Sequence, residues 1–91
     1  MSSTPVAQAG TMESNDIFIR LSQNGSGGNV VNLKSIVMRQ FGEAIEKTIR
    51  QCLDELGLDS VQVDADDRGA LECTIKARME AAAERFRRAS R

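Results

Sequence analysis

One candidate nucleophile, the hydroxyl of Ser14, lies in Ala9-Gly-Thr-Met-Glu-Ser-Asn-Asp16, just ahead of the first strand-like run. Read as residues alone, Ser-Asn-Asp is ordinary loop material and Gly10 is ordinary turn punctuation. The 91-residue chain contains no His. General acid–base work near neutral pH would therefore fall to a carboxylate, Lys or Cys with a strongly shifted pKa, which needs a pocket that so short a chain has little room to build. Asp64, Asp66, Asp67 and Gly69 imitate the opening of a calcium loop, with oxygen ligands at alternate positions before a Gly at the sixth. The imitation stops at Arg68 in the fifth position and Ile75 in the twelfth, where a bidentate Glu is required. The acidic run is therefore read as a solvated turn, and neither a catalytic centre nor a metal site is expected.

The elements that must position Ser14 emerge from hydrophobic periodicity. Asp16 to Ser22 puts Ile17, Ile19 and Leu21 on one face and Phe18 and Arg20 on the other, which predicts a half-buried strand. The Gly-rich stretch Gln23–Asn29 reads as a flexible hairpin connection to a second strand, Val30 to Leu33. It lacks the Lys-Ser/Thr ending of a nucleotide-binding phosphate loop. From Ile36 to Leu56 the residues Val37, Phe41, Ala44, Ile45, Thr48, Ile49, Cys52, Leu53 and Leu56 recur at helical steps and predict a core-facing amphipathic helix. Ser35 is placed to cap its first turn and Gly57 to end it. Val61 to Ala65 alternates as a strand, Asp66 to Gly69 reads as a turn, and Leu71 to Ile75 alternates again. Ile75, Met79, Ala82, Ala83 and Phe86 then switch to helical spacing, with the helix beginning between Ile75 and Met79.

The predicted fold is α+β, a small two-layer domain in the order ββαββα. It has a four-stranded, mainly antiparallel sheet with two helices on one face. Residues 1–8, small and polar with the only Pro, are expected to form a flexible tail, leaving residues 9–91 as a single domain.

With 41% hydrophobic residues and a formal net charge of −1, the total charge points to neither nucleic acid nor membrane. The charge is unevenly placed: Lys76 to Arg91 has a local balance of +4, leaving −5 for the remainder. Two readings of that basic segment stand, contact with an acidic or phosphorylated partner, or a solvated helix end that suits the helix dipole. No run approaches the ~20 apolar residues of a membrane span, so the cytoplasm is the expected location. Cys52 and Cys73 accordingly read as reduced thiols at apolar positions.

Two resemblances bear on function. Gly57-Leu-Asp-Ser-Val61 resembles the Asp-Ser-Leu phosphopantetheine site of fatty-acid and polyketide acyl carrier proteins, whose serine opens a helix. The run after Ser60 is Val-Gln-Val-Asp-Ala, poor material for that helix, and Ser60 is read as a turn residue. The second resemblance spans almost the whole chain past Val6. Ala9-Gly-Thr-Met-Glu-Ser14, Asp16-Ile-Phe-Ile-Arg20, Ser35-Ile-Val-Met-Arg-Gln-Phe-Gly42 with Ala44-Ile45, Asp66-Asp-Arg-Gly-Ala-Leu-Glu-Cys73 and Lys76-Ala-Arg78 are similar to the acyl carrier protein, or gamma chain, of citrate lyase. Met12 replaces the usual Leu, the loop at Asn24 to Gly28 departs from the pattern, and the C-terminal segment is shorter than is usual.

That resemblance implies that Ser14 carries triphosphoribosyl-dephospho-CoA, attached covalently through a phosphodiester. It implies a non-catalytic subunit whose arm bears acetyl and citryl thioesters while the alpha and beta chains exchange and cleave them to oxaloacetate and acetate. A prosthetic-group transferase and an acetylating ligase are the further partners implied. Glu13 and Asp16 beside the serine are read as groups that steer the transferase or hold its metal. The carrier subunit of malonate decarboxylase, which bears a similar group, and an unmodified structural or interaction subunit are the alternatives.

Overall fold

A computed structural model describes residues 5–90 and realises the alternation at Ile17, Ile19 and Leu21 as a strand with those three side chains buried. In chain order the elements are β1 (Val6–Ala9), β2 (Ile17–Gln23), β3 (Val30–Ser35), α1 (Met38–Glu55), β4 (Val61–Asp67) and α2 (Glu72–Ala89). They make the expected α+β domain, a four-stranded sheet in the order β1-β2-β4-β3 with both helices on one face. The β1–β2 and β2–β4 pairings are antiparallel and β3–β4 is parallel, so the sheet is mainly antiparallel.

The fourth strand comes from a different segment than the alternation suggested. Leu71–Ile75 opens α2 instead of pairing with β4: the Leu71 carbonyl accepts from the Ile75 N–H at 3.0 Å. Five alternating residues fit either period, and both edges of β4 are already taken by β2 and β3. Glu72 in the first turn suits the helix dipole and pairs with Lys76 at 3.5 Å. The missing strand is β1, which corrects the reading of residues 1–8 as a tail for Val6 to Gln8. Residues 1–4 lie outside the described residues. Ala7 and Ala9 are the inward side chains of β1, and their small size lets α2 close over it, where Ala82 and Ala83 are fully buried. Arg85 Nη1 also donates to the Gln8 carbonyl at 2.6 Å.

The Gly-rich stretch is not a hairpin, because β4 lies between β2 and β3 and the connection crosses the end of that strand. Asn24 closes the loop on itself through the carbonyls of Gly27 and Gly28, and Asn29 holds it to the start of β4, accepting from Val61 N–H at 3.1 Å. A parallel neighbour for β3 requires a long crossover, and α1 supplies it. Gly57 ends α1 as expected: at φ +70° its N–H reaches the Asp54 carbonyl while Leu58 N–H reaches that of Leu53, a Schellman arrangement. Ser35 caps the turn before the helix and not the helix itself, its hydroxyl accepting from Val37 N–H at 3.0 Å.

The core consists of the inward residues of the sheet with Ile45, Ile49, Cys52 and Leu53 of α1 and Ile75, Met79, Ala82, Ala83 and Phe86 of α2. Phe41 and Ala44, expected in that core, are exposed, Phe41 at 54%. Among the described residues no element covers the early turns of α1 on that side. Cys52 is buried, which pushes its thiol up, and Cys73 is exposed on α2; neither is in a disulfide.

Candidate functional site

The chain from Gly10 to Asp16 reverses between β1 and β2 at the end of the sheet where both helices begin. Gly10 sits at φ +93° directly against the Ile17 carbonyl, so the reversal starts at a position that excludes a Cβ. A tight turn comes next, Asp16 N–H donating to the Glu13 carbonyl at 3.2 Å, with Asn15 at φ +67° in its third position. Asn tolerates that conformation better than most residues. Ser14 is second in the turn, at its exposed tip, and its hydroxyl makes no hydrogen bond to any other described residue.

The base of the turn is held from three sides. Asn15 N–H donates to the Arg68 carbonyl and Arg68 N–H to that of Asp16, each at 2.8 Å, extending the β2–β4 ladder past its strands. Asp16, buried, accepts from the Thr11 hydroxyl at 2.7 Å and from Ile17 N–H at 2.7 Å. Arg78 of α2 closes the cluster with a two-point pair, Nε to Oδ1 at 3.0 Å and Nη2 to Oδ2 at 2.8 Å. The Arg78 guanidinium holds the Asp16 carboxyl well below the usual carboxylate range, against the opposing effect of burial, with the Thr11 and Ile17 bonds adding to it. The loop on the far side is fixed by Asp67, fully buried, which accepts from Ser35 Oγ at 2.7 Å and from the N–H groups of Gly69 and Ala70.

This geometry separates the residues that the sequence put side by side. Ser14 and Glu13 face solvent, whereas Asp16 is committed to Arg78 and Thr11, so it is not free to steer a transferase or hold a metal. Sequence reasoning missed Arg78 and Thr11 as supports of the turn; Arg78 lies 62 positions from its partner, and no local pattern joins them. Ser60 lies at the opposite end of the sheet, just before β4, and no helix follows it. Asp64 and Asp66 point to the open face of β4 and Asp67 to the core, so the acidic run does not converge. Asp64 is bonded by Asn32 and Gln62, and Asp66 pairs with Arg68.

Among the exposed large hydrophobic side chains, Met12, Ile36, Met38, Phe41 and Leu71 lie at the Ser14 end, whereas Val6 and Val30 lie toward the other. Any enzyme reaching Ser14 meets that apolar end. The last arginines of the basic segment, Arg85 to Arg88, are toward the far end of α2, about 20–24 Å of helix from its first residue. There Arg85, Arg87 and Arg88 bond to Gln8, Leu56 and Glu84 of the same chain.

Among the described residues Ser14 thus presents an exposed alcohol on a braced turn, with no side chain hydrogen-bonded to it. Comparison with known proteins makes the class specific. Residues 4–86 match the acyl carrier family described as malonate decarboxylase delta subunit (MdcD). Citrate lyase acyl carrier protein 2 of Salmonella typhimurium is 47% identical over 77 residues, 85% of this chain and 79% of that one. The citrate lyase acyl carrier protein of Klebsiella pneumoniae is 46% identical over the same shares. That of Lactobacillus acidophilus is 51% identical over 79 residues, 87% of this chain and 80% of its own. The chain belongs to the citrate lyase acyl carrier protein family, whose members are named as carriers and not as catalysts. In fold, a crystal structure of a Thermus thermophilus protein is similar at a TM-score of 0.54 and 12% identity; the likeness covers 98% of this chain and 16% of that protein.

Proposed function

We propose that this chain is the acyl carrier subunit of a citrate lyase complex and that Ser14 is where its prosthetic group is attached. The single observation supporting the site is the exposed, unbonded Ser14 hydroxyl at the tip of a turn fixed by Asp16 and Arg68. The donor proposed is triphosphoribosyl-dephospho-CoA, whose phosphoribosyl-dephospho-CoA part remains on Ser14. Forming a phosphodiester from a triphosphoribosyl donor requires Ser14 Oγ to attack the phosphorus next to the ribose. Diphosphate leaves, and the serine proton goes to a base. This chain places no base against Ser14, so the prosthetic-group transferase supplies it.

The residues present fit such a group in one respect and limit it in another. Nothing covers the Ser14 hydroxyl, so a bulky donor can reach it, while the nearby Arg68 and Arg78 are already paired with Asp66 and Asp16. In this reading the chain holds the group by its one covalent bond and leaves the arm free. When bound, the group supplies the thiol on which acyl thioesters are carried. The protein's part is to tether: at effective concentrations on the order of millimolar, the arm visits the alpha and beta chains and the acetylating ligase without dissociating. One carrier domain running from β1 through α2, in the cytoplasm, completes the reading. Among the described residues no helix is long and apolar enough to cross a membrane.

The test is to incubate the chain with the transferase and triphosphoribosyl-dephospho-CoA and map the adduct by peptide mass spectrometry. An adduct on Ser14, lost in Ser14→Ala and kept in Ser60→Ala, is expected. An adduct elsewhere, or citrate cleavage surviving Ser14→Ala in the assembled complex, refutes the site. The matching family description supports a second reading, the carrier of a malonate decarboxylase, and assembly with that enzyme's subunits in place of citrate lyase chains would select it.

A further inference from the structure

The Ser14 hydroxyl makes no hydrogen bond among the described residues, yet the base of its turn is tied to a helix that begins more than fifty residues later in the chain. Without Arg78, the link from α2 to the Gly10–Asp16 segment through the Asp16 carboxylate is lost; the remaining ties are two backbone bonds to Arg68 and local bonds within the segment. We infer that Arg78, acting through Asp16 and Thr11, is a positioning residue that holds the Ser14 turn in the one conformation the loading enzyme accepts. This rests on the reading of Ser14 as the attachment site.

The chemistry of the cluster supports the assignment. A guanidinium meets a carboxylate at two fixed points, so the pair sets an orientation as well as a distance, which a single ammonium does not. Both oxygens of Asp16 are used: Oδ1 by Arg78 Nε and Ile17 N–H, Oδ2 by Arg78 Nη2 and the Thr11 hydroxyl. The Thr11 oxygen in turn accepts from Glu13 N–H at 3.2 Å, next to Ser14. A rigid path thus runs from α2 through Arg78, Asp16 and Thr11 to the residue preceding the nucleophile. Arg78 itself is half-exposed and bonds to Asp16 but not to Ser14, so its effect is on presentation.

If the turn samples other conformations once the pair is broken, only the competent fraction binds the transferase, and apparent affinity falls by that fraction. Once bound, the chemistry is unchanged. Arg78→Met is therefore expected to raise the KM for the carrier about tenfold in the loading reaction, with kcat held within about twofold. Arg78→Lys should restore part of that loss and Thr11→Val should show a smaller rise. Measurements belong at a temperature where circular dichroism shows every variant folded, alongside amide hydrogen exchange at Glu13, Asn15 and Asp16. Faster exchange confined to those amides together with the KM change supports the inference. An unchanged KM in Arg78→Met, with wild type loaded on Ser14, overturns it and leaves the attachment site standing. A fall in kcat at unchanged KM also overturns it. Failure of the wild-type chain to be loaded on Ser14 overturns the attachment reading, and the inference with it.

Discussion

Replacing Gly10 by Ala should cost more than any other glycine substitution in this domain, and the structure says roughly how much. An ideal Cβ at Gly10 would lie 1.8 Å from the Ile17 carbonyl oxygen, 2.9 Å from its carbon and 3.3 Å from Phe18 Cα, all of them backbone atoms. The positive φ alone costs about 1–2 kcal/mol for an L-residue. Relieving the collision means moving the start of β2 by more than an ångström. That strains the two hydrogen bonds between Asn15, Asp16 and Arg68, at about 1 kcal/mol each. The total, about 3 kcal/mol, is a large share of the roughly 5–10 kcal/mol available to a domain of this size. It corresponds to a fall in Tm of about 12–24 °C. Gly28→Ala is the control. Gly28 is also in the left-handed region, at φ +77°, but nothing lies within 4 Å of its Cβ position, so only the backbone term of about 1–2 kcal/mol applies. Urea and thermal unfolding of both variants, followed by circular dichroism, separate the two terms. Equal shifts for Gly10→Ala and Gly28→Ala would refute the close approach of Gly10 to β2, and with it the account of how the Ser14 turn is launched.

Three further outcomes are expected. Because Arg78 lowers the folded-state pKa of Asp16, that carboxylate stabilises the fold above its unfolded value near 4 and loses the contribution as pH falls toward the folded value. Asp16→Asn should therefore be less stable than wild type by a constant amount above about pH 5, with the gap narrowing below about pH 4; a gap independent of pH in urea titrations counts against the pairing. Phe41→Ser, at a side chain 54% exposed, should change stability by no more than about 1 kcal/mol, whereas Ile49→Ala, fully buried on the same helix, should cost about 2–5 kcal/mol. Similar costs by chemical denaturation would place Phe41 back in the core. Asp67→Ala removes an acceptor shared by Ser35, Gly69 and Ala70 and should cost about 3 kcal/mol, against about 1 kcal/mol for Ser35→Ala; equal costs would show that the loop does not depend on Asp67.

Local pattern was sufficient wherever one element decides its own form. The alternation at Ile17, Ile19 and Leu21, the helical spacing from Ile45 to Leu53 and the left-handed stop at Gly57 are each written in a handful of neighbouring residues, and each stands in the folded chain. The Ala9–Ser14 motif was legible too, and Ser14 is exposed as its place outside the periodic runs suggested. What the tertiary structure alone decided is which segments meet. Val6–Ala9 has too little apolar surface to declare itself a strand, and becomes one because two alanines fit under α2. Leu71–Ile75 alternates like a strand but becomes helix because β4 has no free edge. Phe41 keeps the core period yet faces water because no element covers it. Asp16 stands two residues from Ser14 in the sequence, but its partner, Arg78, is 62 residues away. Periodicity encodes which face of an element is apolar; only packing encodes what that face, or a lone buried carboxylate, finds opposite it.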